Sequence, residues 1–326
     1  MGRKVLKWLA LAGAALALLW FAGPRVASDT TLTFDPAIIG TDPASYLAAR
    51  EAATPGIRDG LAKEIIWVDP ATKAKTPISI VYVHGFSASK GEVRPLPDKI
   101  AAALGANLYF TRLAGHGQDA AAMATASVNA WANDMAEALA IGRAIGQKIV
   151  VVSTSTGGSL TAWALSRPDI ASDVAASVFI SPNFRVKAAG ASLLTGPWGL
   201  QIAELVGGKE RGFEPPNDMV AKLWTTRYPM AATLPMAAAV KIADEVDYAQ
   251  IKVPALFVLS EQDQVVDPDA TKAVAARWGG PHDIELVTNP GDPSNHVLAG
   301  DAFSPRMTDP LASRIVAWLQ SLGVEN

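Results

Sequence analysis

The stretch Ile149-Val150-Val151-Val152-Ser153-Thr154-Ser155-Thr156-Gly157-Gly158 passes from four β-branched residues into hydroxyls and glycines, then into an Ala/Leu/Trp segment of helical character. A serine on a sharp turn between strand and helix is lifted above the sheet. The positions two residues either side of it must be small, because strand and helix approach closely there. Ser155 fits that frame, with Gly157 on one side and Ser153 where glycine is usual on the other. The helix N-terminus that follows favours negative charge developing at the site. Ser155 is therefore the candidate nucleophile. Ser153 is its rival, in a frame that fits worse, and a helix cap without chemistry is the remaining alternative.

Three further strand ends carry polar residues of matching type. Ile78 to Val83 leads into His84-Gly85-Phe86-Ser87. Acyl transfer passes through an oxyanion that backbone N–H groups stabilise. A loop at a neighbouring strand end can supply one such group and the residue after the nucleophile another, which gives the amides of Phe86 and Thr156. His84 reads as a residue that holds this loop rather than as a general base. Leu259-Ser260-Glu261-Gln262-Asp263-Gln264-Val265-Val266-Asp267-Pro268 follows a strongly apolar run. An acid in that turn can orient an imidazole and stabilise its protonated form; Glu261 and Asp267 are rivals for the part, and a solvated acidic loop is the alternative. Last, Asn289-Pro290-Gly291-Asp292-Pro293-Ser294-Asn295-His296 is a polar loop whose histidine closes the chain order Ser, Asp, His.

The elements that must position these residues alternate. An early strand is expected over Lys63–Val68, followed by short apolar runs at Ile78–Val83, Asn107–Phe110, Ile149–Val152, Ser177–Ile180, Ala255–Leu259 and Ile284–Val287. Such runs, bounded by Gly and Pro, suit strands buried on both faces of a parallel sheet. Helical patterns lie at about Pro97–Leu104, Ala130–Gly142, Gly158–Ser166, Asp269–Trp278 and Pro310–Leu322. Alternation with short links predicts a doubly wound α/β sheet. From about Phe184 to Val246 the rhythm breaks. No strand is expected there, only helical pieces cut by Pro197, Pro215-Pro216, Pro229 and Pro235. This reads as a helical insertion over one edge of the sheet, the alternative being a plain extension of the scaffold.

Composition excludes several classes. With 28 basic and 31 acidic residues among 326, the net charge is −3, and no basic cluster offers a surface for nucleic acid. No cysteine is present, which removes disulfides, thiolate metal sites and a cysteine nucleophile. Arg3, Lys4 and Lys7 precede an uncharged apolar run from Trp8 to Gly23, the pattern of an export signal. Val26-Ala27-Ser28 offers small residues for cleavage. The run from Trp8 to Gly23 is somewhat short of the ~20 residues that span a bilayer comfortably, yet residues 5–23 could instead remain as an inner-membrane anchor. Either way the remainder is expected to be exported to the periplasm or cell envelope. The expected division is 1–28 as signal peptide or anchor and 29–326 as one domain, with the insertion at about 184–246.

From Ile78 to its C-terminus the chain resembles the α/β-hydrolases, and is similar to the bacterial serine carboxylesterases and monoacylglycerol-lipase-like enzymes. The resemblance rests on His84-Gly85-Phe86, Leu113-Ala114-Gly115-His116-Gly117, the Ser153–Gly157 elbow, the Asp263 turn and His296. It implies a mostly parallel central sheet flanked by helices, with a helical cap inserted after strand 6 of the family, here Ser177–Ile180. It also implies Ser155 as nucleophile, His296 as general base then acid, and Asp263 as its partner. Phe86 and Thr156 would be the oxyanion-hole amides, His116 an architectural residue, and no metal or organic cofactor is called for. The expected reaction is two-step hydrolysis of a small ester substrate, lipid-derived esters included, with membrane association through the N-terminal segment. Leu193, Leu194, Trp198, Leu200, Ile202, Leu205, Met219, Leu223, Trp224 and Met230 could line an acyl-chain pocket, or merely pack the cap onto the sheet. The competing functions are another reaction on this fold (thioesterase, amidase or cofactor-free peroxidase) and a catalytically silent envelope protein that binds a lipid or a partner.

Overall fold

The central apolar runs become strands covered on both faces, whereas the edge strands are not: the expected strand at Ile284–Val287 is largely exposed, with Ile284 and Leu286 facing solvent. The computed structural model describes residues 2–325. Its strands are β1 (Glu64–Ile66), β2 (Thr76–Val83), β3 (Asn107–Phe110), β4 (Gly146–Thr154), β5 (Val174–Ile180), β6 (Glu210–Gly212), β7 (Arg227–Pro229), β8 (Ala255–Leu259) and β9 (His282–Leu286). Side chains alternate across the main sheet. Val81 and Val83 of β2, with Ile149 and Val151 of β4, join Trp131, Leu139 and Leu160 on one face. Ile80, Tyr82, Val150 and Val152 join Leu96, Ile100, Ile315 and Trp318 on the other.

The main sheet has the order β1-β3-β2-β4-β5-β8-β9. Only β1 runs antiparallel, pairing Glu64–Ile66 with Phe110–Leu108 at the edge, and the other pairs are parallel. Parallel neighbours need crossovers, here the helices Leu96–Ala103, Val128–Ile145, Thr156–Leu165 and Pro268–Ala275, with Pro305–Ser321 closing the chain. From β2 the chain moves out to β3 and then returns to β4 on β2's other side. Ligand crevices open at such a reversal, beyond the carboxyl ends of the strands. The register pairs Val83 with Ser153, so the loop after β2 and the turn after β4 emerge side by side.

Two expectations are corrected. The last helix begins at Pro305, not Pro310, and carries Pro310 inside it. A proline there forfeits one helical hydrogen bond, but the buried stripe of Leu311, Ile315, Trp318 and Leu319 offsets the loss. Within the insertion, β6 and β7 form an antiparallel hairpin where no strand was expected. Three-residue strands ending in Gly212 and Pro229 have no apolar alternation to reveal them. The rest of the insertion is helical, chiefly Gly199–Gly207, Asp218–Leu223 and Thr233–Asp244.

The N-terminal helix Arg3–Phe21 stands outside the body, exposed along its length. Lys4–Phe21 is long and apolar enough to cross a membrane. Its far end meets the insertion, where Trp198 donates through Nε1 to the Leu19 carbonyl at 3.0 Å and through its amide to Pro24 at 2.9 Å. From Asp29 onward the chain is fastened to the helix Val128–Ile145. The amides of Thr33 and Phe34 donate to Asn133 Oδ1 at 2.7 and 2.8 Å, and Asn129 donates to Asp29 at 3.1 Å.

Candidate active site

Ser155 sits between β4 and the helix Thr156–Leu165 with φ 52° and ψ −119°. An L-residue held in that region costs of order 1–3 kcal/mol. The cost is met by three backbone bonds: Ser155 N–H donates to Ile180 O (3.0 Å), and its carbonyl accepts from Gly158 (2.8 Å) and Asn183 (2.9 Å). Gly157 is required by contact, since a Cβ there would lie 2.4 Å from the Val83 carbonyl oxygen and 2.7 Å from that of His84. Ser153 is placed otherwise. It lies inside β4, fully buried, with its hydroxyl donating to Val178 O at 3.3 Å.

His296 and Asp263 meet directly, Nδ1 to Oδ2, at 2.8 Å. Asp263 follows β8 and Ser155 follows β4, with β5 between them. The second carboxylate oxygen of Asp263 accepts from the amides of Val265 (2.7 Å) and Val266 (2.9 Å). The rival acids are occupied elsewhere. Glu261 pairs with Lys272, while Asp267 caps the helix Pro268–Ala275 and pairs with Arg185. Asp292 secures the histidine loop by accepting from the amides of His296 (3.0 Å) and Val297 (2.9 Å). Burial pulls the His296 imidazole down, but the Asp263 bond and charge, helped by Glu92 and Asp292, more than offset it and hold the group above its ordinary 6.5.

Opposite lies the loop after β2. Phe86 N–H finds no acceptor among the described residues, and Thr156 opens its helix, where an amide has no intrahelical partner. His84 bonds through Nδ1 to the Gly85 carbonyl (2.9 Å) and accepts the Leu113 amide at Nε2 (3.1 Å). That carbonyl belongs to the same peptide as the Phe86 amide, so His84 fixes the direction in which that N–H points. Burial lowers His84 to about 4, so it stays neutral and serves as a strut. His116 accepts the Ser87 amide at 3.0 Å and packs at a tilt against His84, ring centres 4.9 Å apart; burial and the neighbouring His84 hold it well below its usual value. His282 is exposed at the start of β9.

Two residues of this region escaped the sequence. Asp292 had a faint signal, an Asp two residues before a serine in a Pro-rich loop, the makings of an Asx turn. Glu92 had none, because Lys90-Gly91-Glu92-Val93-Arg94 reads as a solvated charged loop. Its carboxylate is instead buried, accepting from Gly85 N–H (2.7 Å) and the Tyr82 hydroxyl (2.9 Å).

The insertion closes over this crevice. At one end Thr225 N–H donates to Ser87 O (2.7 Å) and Tyr228 meets Phe86 edge-on at 5.1 Å. At the other, Lys187 N–H donates to Val265 O (3.0 Å) beside the acid turn. Ser155 and His296 are left only 6% and 8% exposed. The apolar side chains of the insertion divide: Trp224 and Met230 are buried, whereas Leu193, Leu205 and Met219 face outward.

A model of the alpha/beta hydrolase family matches residues 80–304. The chain is 26% identical over 201 residues to a thermostable monoacylglycerol lipase of Bacillus sp. (strain H-257), covering 61% of this chain and 76% of that one. Among solved structures it is similar to a member of the metagenome-derived lipolytic enzymes LipS and LipT, with 21% identity, TM-score 0.64, and 81% of this chain matched to 99% of that one. It is also similar to a soluble variant of monoglyceride lipase from Saccharomyces cerevisiae, with 10% identity, TM-score 0.59, and coverage of 80% and 91%. At such identities these structures speak for the fold.

Proposed function

The chain belongs to the alpha/beta hydrolase family, and from that premise we propose that it is a serine hydrolase of carboxylic esters, a carboxylesterase or monoacylglycerol-type lipase. Ser155 is the nucleophile, His296 the base and acid, and Asp263 the partner that orients the imidazole. The observation that carries the reading is the Asp263–His296 bond at the crevice where Ser155 stands on its strained turn. Ser155 Oγ attacks the ester carbonyl carbon as His296 Nε2 takes its proton, and the oxyanion rests on the amides of Phe86 and Thr156. The C–O bond to the alcohol then breaks and the alcohol leaves with the proton from His296. Water, deprotonated by His296, attacks the acyl-enzyme and frees the acid.

Similarity to a monoacylglycerol lipase favours a lipid-derived ester. An apolar N-terminal helix joined to the insertion through Trp198 supports the same reading, since it would hold the crevice near a bilayer if it remains as an anchor. The folded domain is proposed to start at about Asp29, where the chain is first bonded to the helix Val128–Ile145, with residues 1–28 as leader or anchor, the remainder exported, and 184–246 as the cap. Fluorophosphonate labelling of the protein, with Ser155→Ala and Ser153→Ala beside it, tests the chemistry. Labelling lost only in Ser155→Ala is expected; loss only in Ser153→Ala would overturn the assignment. Acyl esters of graded length test the substrate, and a wide preference for two-carbon over medium-chain acyl groups would remove the lipid reading.

A further inference from the structure

Glu92 is a carboxyl buried beside the candidate reacting groups and used by none of the steps above. It leaves the loop between β2 and the helix Leu96–Ala103 and turns back toward the end of β2. One oxygen accepts the Gly85 amide and the Tyr82 hydroxyl, and Tyr82 is also 3.1 Å from Thr154 Oγ1, on the residue before Ser155. The carboxyl lies so close to Gly85 that a Cβ on that glycine would meet Glu92 Oε1 at 2.7 Å, and it would meet Ser155 Cβ at 3.0 Å. Glu92, Gly85 and Ser155 are thus packed against one another. A carboxyl in such a place is costly unless bonded or countercharged. The charge that bears on it is that of His296.

We propose that Glu92 is a positioning residue for the reaction, gripping the Gly85 amide so that the following Phe86 amide faces the oxyanion, and adding a further negative charge to the surroundings of the His296 imidazolium. The inference rests on the reading of Ser155 and His296 as the reacting pair. The two peptides around Gly85 are held from opposite sides: Glu92 takes the N–H of the first, and His84 bonds the carbonyl of the second. Gly85 has no side chain to limit its backbone, so without both grips the Phe86 N–H has no fixed direction. The charge acts separately. Glu92 and a neutral His296 have little to say to each other electrostatically, but once the imidazole takes the serine proton the pair attract. The carboxylate therefore favours the charge state formed as the oxyanion forms.

The charged groups that bear on His296 are Asp263, bonded at Nδ1, Asp292, which accepts the His296 backbone amide, and Glu92, which makes no hydrogen bond or ion pair with it among the described residues but whose charge acts on it. The groups that bear on Glu92 are Tyr82 and His296, while His84 and His116 on the far side of the loop remain neutral. Burial raises the Glu92 carboxyl above its ordinary value, with the Gly85 amide, the Tyr82 hydroxyl and His296 drawing it back.

The test is the rate of Ser155 labelling by a fluorophosphonate as a function of pH, in wild type, Glu92→Gln, Glu92→Ala and Tyr82→Phe, with thermal unfolding alongside. Gln keeps an oxygen for Gly85 and Tyr82 but loses the charge, so its acid limb should move to lower pH with a modest loss at the plateau. Ala loses the grip as well and should label about 10²-fold more slowly, the scale of a lost oxyanion donor. Tyr82→Phe should shift the limb in the same direction as Gln, by less. An acid limb in Glu92→Gln that coincides with wild type, or wild-type labelling in a folded Glu92→Ala, would overturn the proposal. If Glu92→Ala does not fold, Gln and Tyr82→Phe decide it. Absence of labelling at Ser155 in the wild type would instead remove the reading on which the proposal rests.

Discussion

The floor of the crevice and the insertion above it are built on opposite principles. On the floor the backbone and the acids are tightly held: the Asp263 carboxylate accepts three hydrogen bonds, Ser155 is fixed by three through its backbone, and Asp292 holds three amides of the histidine loop. The insertion contacts the floor at its two ends, yet leaves Leu205 86% and Val206 83% exposed on its outer side. Geometry is costly to lose where chemistry depends on angstroms. A cover that must admit a substrate is better served by fewer constraints. On the proposed function, the difference assigns the reaction to the strand ends and substrate access to the insertion.

The largest expected effect lies on the floor. Asp263→Asn should leave the unfolding curve nearly unchanged while lowering ester turnover roughly 10⁴-fold, because the imidazole loses its orientation and the partner of its charge. Near-normal turnover would break the division at its centre. Gly157→Ala comes next, since the added methyl would meet backbone rather than a yielding side chain. It should destabilise the protein by about 1–3 kcal/mol, read from denaturant unfolding.

A gentler test uses pH. The base must be neutral to accept the serine proton, and His296 is held above its ordinary 6.5. Turnover should therefore fall as pH drops through a value above 6.5, and Asp292→Asn should move that limb downward. A limb well below 6.5 in the wild type would mean that burial outweighs the carboxylates. The smallest effect is expected on the outer side of the cap. Leu205→Ser with Val206→Ser should leave turnover of a soluble short ester within about twofold, as surface substitutions usually do, while weakening association with lipid vesicles, measured by co-sedimentation. A tenfold loss on the soluble ester would show that floor and cap are not separable.

The strand ends were legible because their demands are local. A serine on a tight strand-to-helix turn needs small neighbours at fixed spacing, and that frame pointed to Ser155 as the turn residue; the structure has Ser155 on the turn and Ser153 within β4. The choice among Glu261, Asp263 and Asp267 could not be made from the residues, which lie within one turn; it depends on which carboxylate lies 2.8 Å from a histidine 33 residues away. The β6–β7 hairpin was invisible because strands of three residues carry no periodicity, and the start of the last helix was misread because Pro310 masks a stripe that tertiary packing supports. Glu92 was missed for a similar reason. Its burial is created by Gly85, Tyr82 and the neighbouring Ser155 turn, none of which marks the charged loop it sits in.

The sequence by itself determined the layered α/β sheet, since apolar runs of that length between helical patterns have one economical arrangement, and it determined the residue types at the strand ends, since tight turns and close approaches restrict them locally. Only the tertiary structure decided which acid reaches His296, that a charged loop buries Glu92 against Gly85, and which apolar side chains of the insertion face inward. Those outcomes depend on distances between segments far apart in the chain, and such distances are set by the packing of the whole domain.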